Sequence, residues 1–215
     1  MIDALNDAIA KAGRFESKLP PETLEIEGYS GRMGRHFLNN LAGQFQPYVE
    51  VGCFRGSTLI CAAYDNPGLV VGVDNFTDET QPGTYMAGTR QTLLENMRCH
   101  SDRSRPSLLD ASCWKVHLTG FQCCFFDGAH TEQDHMDAVT HLSTWMTPQF
   151  VFVVDDFNRQ SVREGTLRGI AAGNLRIDFE LWLGAQGTDD RTGWWNGFGV
   201  YVLSKPLLTR SSTFG

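Results

Sequence analysis

Two apolar runs in this chain end abruptly in acid. CCFF stops at Asp127, and VFVV stops at Asp155 and Asp156. If the runs are neighbouring parallel strands, about 5 Å apart, the carboxylates gather at the sheet edge where such sheets form their active sites. Three carboxylates so close repel one another and raise their own pKa values unless a cation sits among them. Oxygen donors with water completing the shell suit Mg²⁺, Ca²⁺ or Mn²⁺, so Asp127, Asp155 and Asp156 are the predicted metal ligands. Such an ion would bind two neighbouring hydroxyls of a substrate and lower the pKa of one. A plainer reading stays open. Asp127 would cap the turn before GAHTEQD, Asp156 would cap a following helix, and Asp155 would only hydrogen-bond a cofactor or substrate. His130, three residues after Asp127, reaches the same rim as a base, a metal ligand or a polar contact. Asp127 and His130 are the candidate catalytic residues. His135 and His141 form no ligand pair and are read as solvent-facing positions of the next helix.

A second constellation lies earlier. VEVGCFRGST sets Glu50, Gly52 and Gly56 at a strand-to-helix turn, with Cys53, Phe54 and Ser57 between and after the glycines. In a doubly wound sheet that turn binds a cofactor: glycines admit the backbone, and the next helix offers free N–H groups. The spacing is not that of a dinucleotide motif, because Glu50 stands where the first glycine would be. An acid there repels a pyrophosphate and suits an ammonium. The next apolar strand ends in Asp74 and Asn75, and a carboxylate at that strand end holds a ribose diol. A ligand with a ribose, an amino group and no phosphate describes S-adenosylmethionine.

On these residues the chain resembles the class I S-adenosylmethionine-dependent methyltransferases. VEVGCFRGST looks like their first motif and VVGVDNF like their second. SLLDAS is similar to the segment flanking the adenine, which implies contacts from Asp110, Ala111 and Ser112. FFDGAHTEQDHMDAV and VFVVDDFN resemble a branch that holds macrolide-sugar O-methyltransferases and cephalosporin-hydroxylase-like proteins. The resemblance runs from about Tyr29 to Lys205. It implies cofactor contacts at Glu50, Gly52, Cys53, Phe54, Gly56, Ser57, Asp74, Asn75 and Asp127, and a divalent ion on the aspartates. It also implies O-methylation of a small polyhydroxylated acceptor, a sugar or another natural product. Two departures stand out: TPQF replaces a Pro-Gly-Gly loop, and Ala129 occupies a position where some members carry a second acid. Two rival readings remain. One is a metal-dependent hydrolase or oxygenase on the same fold, and the other is a non-catalytic S-adenosylmethionine-binding module.

The elements that must position these residues follow from hydrophobic periodicity. An amphipathic N-terminal helix (Ile2, Leu5, Ala8, Ile9) stops before Pro20-Pro21. GRMGRHFLNNLAGQF is a helix with Met33, Phe37, Leu41 and Phe45 on one face. Then PYVEVG, LVVGVDNF, PSLLDAS, QCCFFDGAH and QFVFVVDDFN read as strands. GSTLICAAYDN, TRQTLLENMRCH and TEQDHMDAVTHLSTWM read as the helices between them, the last with Met136, Val139, Leu142 and Met146 on one face. A helix around 164–173 and the strands DFELWLG and GFGVYVLS close the chain. Strands apolar on both faces, alternating with amphipathic helices, predict an α/β, doubly wound, Rossmann-like sandwich of about seven strands, mostly parallel with an antiparallel last strand. A single domain over 1–215 with an N-terminal helical segment to about residue 45 is expected. TDETQPGTYMAG and GTDDRTGWWNGFG are candidate lids. In the second, Trp194 and Trp195 form either a sugar-stacking or dimer-contact surface, or pack down on the sheet.

Composition bounds the partners. The chain has 215 residues and a net charge of −7, which disfavours a nucleic-acid surface. Arg32 and Arg35, like Arg103 and Arg105, read as solvated surface arginines. No run suits a membrane span, and the start reads as a helix rather than a signal peptide. Six cysteines without a CxxC pair suit buried thiols in a reducing cytoplasm, and Cys123 and Cys124 should point to opposite faces of a strand. The acidic rim argues against a polyanionic substrate. A homo-oligomer is compatible with the sequence.

Overall fold

The computed structural model describes residues 1–77, 87–100, 104–184 and 190–206. Seven strands form one sheet in the order β3-β2-β1-β4-β5-β7-β6. They are β1 (Tyr48–Val51), β2 (Val70–Asp74), β3 (Ser107–Asp110), β4 (Phe121–Phe126), β5 (Met146–Val154), β6 (Arg176–Leu183) and β7 (Phe198–Ser204). The first five run parallel, while β7 inserts antiparallel between β5 and β6. The order reverses between β1 and β4, and the crevice beyond the carboxyl ends of such strands is where ligands bind.

Helices cover both faces. On one, α1 (Ile2–Ala12), α3 (Arg32–Gln44) and α4 (Ser57–Ala63) bury Leu5, Phe37, Leu41 and Leu59 against Tyr48, Phe125 and Val153. Beside them α5 (Thr89–His100) contributes Leu93 and Met97. On the other, α6 (Glu132–Ser143) and α7 (Gln160–Ala172) bury Ala138, Leu142 and Val162 against Val49, Phe126 and Phe152. The short helix α2 (Pro21–Leu24) begins at the Pro-Pro break. Cys123 and Cys124 fall in the two opposite cores, as the two-residue period of a strand requires. All six cysteines are free. Among the described residues no helix is long and apolar enough to cross a membrane.

Several local expectations change. Helix α6 ends at Ser143, so Met146 belongs to β5, where it pairs with Phe121. His135 is not solvent-facing. It shares the buried stripe 135–138–139–142 of α6 and packs edge-on against Phe126 at 5.1 Å. Among the described residues its two ring nitrogens have no hydrogen-bond partner, and burial lowers its pKa to about 4. His141 is half-buried, its Nε2 3.0 Å from the carbonyl of Cys113. Arg35 is 4% exposed. Its guanidinium donates to Ser30 Oγ and to the carbonyls of Leu24 and Ile26, tying down the loop before α3.

Candidate active site

The register aligns the strand ends. Val51 pairs with Phe126, and Phe126 with Val154. The ladder runs on one residue further: Gly52 donates to Val73 O at 3.0 Å, Asp127 to Val51 O at 2.8 Å, and Asp155 to Phe126 O at 3.0 Å. Gly52, Asp127 and Asp155 therefore stand in a row at the mouth of a cavity of about 630 Å³. The volume lies within the roughly 300–1,000 Å³ of small-molecule sites.

Backbone geometry shapes the β1–α4 turn. Gly52 has φ +88, and a Cβ there would lie 1.8 Å from the carbonyl oxygen of Asp127. Gly56 enters α4 with φ +83. Both positions demand the left-handed region that glycine occupies without cost. The carboxylate of Asp74 then pins the turn: Oδ2 accepts from the N–H groups of Cys53 (2.7 Å) and Phe54 (3.1 Å), and Oδ1 from that of Phe76 (2.9 Å).

Of the residues expected at the cofactor, Gly52, Phe54, Asp74, Asn75, Ala111, Ser112 and Asp127 line this cavity. Cys53, Gly56, Ser57 and Asp110 do not line it. Asp110 instead pairs with Arg90 at 2.6 Å. Glu50 also fails to reach the cavity. It alternates with Val51 along β1, so it points into the core, fully buried. There it accepts from Thr58 Oγ1 at 2.7 Å and Tyr48 OH at 3.4 Å. Burial drives its pKa well above the usual carboxylate range, opposed by the bonds from Thr58 and Tyr48.

The acidic rim divides in two. Asp127 and Asp155 are hydrogen-bonded to each other. Burial and then neighbouring carboxylates push Asp127 up to about 7 and Asp155 well above its ordinary value. Asp155 Oδ1 is buried without a hydrogen-bond partner among the described residues. Asp156 turns away on a backbone with φ +52, a conformation uncommon outside glycine. It meets His130 Nε2 at 2.7 Å, Arg159 Nε at 3.2 Å and Asn196 Nδ2 at 2.7 Å. Burial acts to raise its pKa, but the bonds from His130 and Asn196 and the adjacent cations outweigh it and leave the group below its ordinary value. The hydrogen bond to Asp156 raises the pKa of His130.

The expected metal site is therefore not formed. Among the described residues no group of three or more His, Cys, Asp or Glu side chains could hold an ion. The third carboxylate is spent on two basic side chains and an amide, and Ala129 supplies no substitute. Asp156 does not cap the following helix either. Thr131 caps α6 by accepting from Asp134 N–H at 3.1 Å, and α7 has no side-chain cap.

The cavity also has walls outside the cofactor and acidic motifs: Tyr29, Trp114, Arg159, Trp195 and Asn196. Arg159 follows Asp156 by three residues, a spacing that signals a local ion pair. Tyr29 arrives from a distant segment with no such signal, whereas Trp195 and Asn196 belong to the second candidate lid. The two tryptophans part company. Trp194 packs edge-on against Phe37 at 5.9 Å, whereas Trp195 faces the cavity. Residues 78–86 of the first candidate lid and 187–189 of the second lie outside the described residues.

No protein-family model matches the sequence, and no curated protein matches it. Solved structures share its fold. A candidate O-methyltransferase from Klebsiella pneumoniae aligns at a TM-score of 0.57 and 16% identity, over 94% of this chain and 90% of that one. An O-methyltransferase from Bacillus cereus in complex with S-adenosylhomocysteine aligns at 0.54 and 14%, over 94% and 91%. The magnesium protoporphyrin IX methyltransferase of Synechocystis PCC 6803, solved with S-adenosylmethionine, aligns at 0.57 and 10%, over 81% of each chain. The architecture is thus the seven-stranded, Rossmann-like methyltransferase fold.

Proposed function

We propose that the protein is an S-adenosylmethionine-dependent methyltransferase acting on an oxygen of a small polyhydroxylated acceptor, a sugar or another natural product. The observation that carries this reading is the cradle at Gly52, where a Cβ would collide with the carbonyl of Asp127. It opens on a cavity that also reaches Asp74, Asn75, Ala111 and Ser112. These residues fit the cofactor: a bare backbone against its chain, polar strand ends for its ribose, and the 111–114 segment beside its base. When bound, the cofactor supplies an electrophilic methyl group on a sulfonium.

The chain's own groups would do the rest. His130 touches the acceptor hydroxyl and takes its proton. Its bond to Asp156 puts a proton on Nε2 and leaves Nδ1 as the acceptor in the neutral ring. Asp156, Asn196 and Arg159 position that ring. Asp127, at the junction of the two halves of the cavity, contacts both cofactor and acceptor. Orientation and fixed dipoles provide most of the acceleration. No step is assigned to a metal, because the donor set does not converge. Free thiols throughout the chain suit a cytoplasmic location.

The test is a calorimetric titration with S-adenosylhomocysteine, with Mg²⁺ and again after chelation. Saturable binding of equal affinity in both is expected. No binding in either overturns the reading, and binding that requires Mg²⁺ restores the metal.

A further inference from the structure

We propose that the acceptor carries a protonated amine beside its reacting hydroxyl, and that the Asp127–Asp155 pair receives this ammonium. This rests on the methyl-transfer reading and narrows its acceptor to a hydroxylated amine such as an amino sugar.

Charge in the cavity is unevenly matched. Among the described residues five acids line it, Asp74, Asp127, Asp134, Asp155 and Asp156, against two basic side chains, His130 and Arg159. Both basic groups lie on Asp156. Asp74 accepts from three backbone N–H groups, and Asp134 is bonded to the hydroxyl of Thr131. Asp127 and Asp155 bond each other. Asp155 is only 6% exposed, it lines the cavity, and its Oδ1 has no hydrogen-bond partner among the described residues. A buried acceptor of this kind costs stability until a donor reaches it.

An ammonium matches this pair. It is a compact point charge with three donors, so one group can bond Asp155 Oδ1 and an oxygen of Asp127 together. Two carboxyls bonded to each other share a proton, and a cation beside them lets both ionise; the shared proton then leaves to solvent. Bonds from a charged donor to a carboxylate are about twice as strong as neutral ones. Among the described residues no further side chain joins the two acids to hold a metal ion.

Position assigns the ammonium to the acceptor. In the row formed by Gly52, Asp127 and Asp155, Asp155 is two strands from the Gly52 cradle, about 10 Å by strand spacing. It directly precedes Asp156, which holds His130 at 2.7 Å. The pair thus reaches from the cofactor half into the half that contains the base.

The test is calorimetric titration near pH 7 of the protein saturated with S-adenosylhomocysteine, with glucosamine, glucose and N-acetylglucosamine as probes. Glucosamine should bind at least about tenfold more tightly than either neutral sugar. In Asp155→Asn, which keeps the shape of the side chain, that preference should shrink to less than about threefold, while affinity for S-adenosylhomocysteine holds. Equal binding of the three sugars, no binding of glucosamine, or a preference that survives in Asp155→Asn overturns the proposal and leaves methyl transfer standing. A preference lost together with S-adenosylhomocysteine affinity assigns the pair to the cofactor's own ammonium, and the proposal falls on that result too. If S-adenosylhomocysteine does not bind the unaltered protein, the methyl-transfer reading falls and this proposal with it.

Discussion

The two halves of the cavity are built by different means. The half beside β1 and β2 is a backbone construction: two left-handed glycines, a turn pinned by Asp74, and a ladder that carries Gly52 to within contact of Asp127. The half beyond β4 and β5 is a side-chain construction: Asp156 gathers His130, Arg159 and Asn196, under an aromatic wall from two distant loops. Backbone constructions leave glycines and strand-ending acids at fixed spacings. Side-chain constructions leave ordinary residues whose meaning depends on what packs beside them.

The largest effect should come from breaking the backbone half. Gly52→Ala places a methyl on the carbonyl of Asp127 and strains a positive φ. Affinity for S-adenosylhomocysteine should fall by about 100-fold or more, with a lower Tm, as read by calorimetry and thermal melting; unchanged affinity would refute the cradle. Next is the side-chain half. His130→Ala should lower kcat by roughly 10²–10⁴-fold, the range for a lost general base, while S-adenosylhomocysteine affinity stays intact. The two halves would then separate in a single pair of measurements.

The pH dependence sharpens this. His130 is raised above 6.5 by Asp156, aided by Asp127 and opposed by burial and Arg159. Only the neutral ring accepts a proton, so the rate should rise with pH through that elevated pKa. The folding contribution runs the other way: it is full below the unfolded value and is lost as pH rises through the folded one. Asp156→Asn removes the carboxylate that raises the ring's pKa, so the acidic limb of the rate profile should move to lower pH. A limb that stays in place would detach His130 from the chemistry. The smallest effect is expected at Glu50→Gln. The buried side chain accepts from Thr58 and Tyr48 and does not line the cavity, and an amide of the same shape replaces it, so S-adenosylhomocysteine affinity should change by less than about threefold. A loss of tenfold or more would mean that Glu50 acts on the ligand through its charge.

Much of the fold was legible because burial writes itself into period. Phe150 to Val154 is apolar at every position because β5 is covered on both faces. Met146 was misassigned because a strand and a helix both accept a buried Met at that point, and pairing with Phe121 decided for the strand. His135 was read as polar and exposed, yet its spacing with Ala138, Val139 and Leu142 put it inside. Arg35 was hidden similarly: nothing local announces that its guanidinium will meet two carbonyls of a preceding loop.

By itself the sequence determined the alternation of strands and helices, the glycine turn after β1 and the acids that end β4 and β5. These are local matters of period, φ and strand length. Only the tertiary structure decided where the acids point. Past the end of a strand the direction of a side chain is no longer set by the pleat. At Asp156 it follows from φ +52 and from Asn196, which lies 40 residues further along the chain. At Glu50 it follows from a side of the sheet that the motif does not name. Three acids that read as one metal site became a hydrogen-bonded pair and an ion-paired anchor, because basic partners brought by other segments satisfied the third.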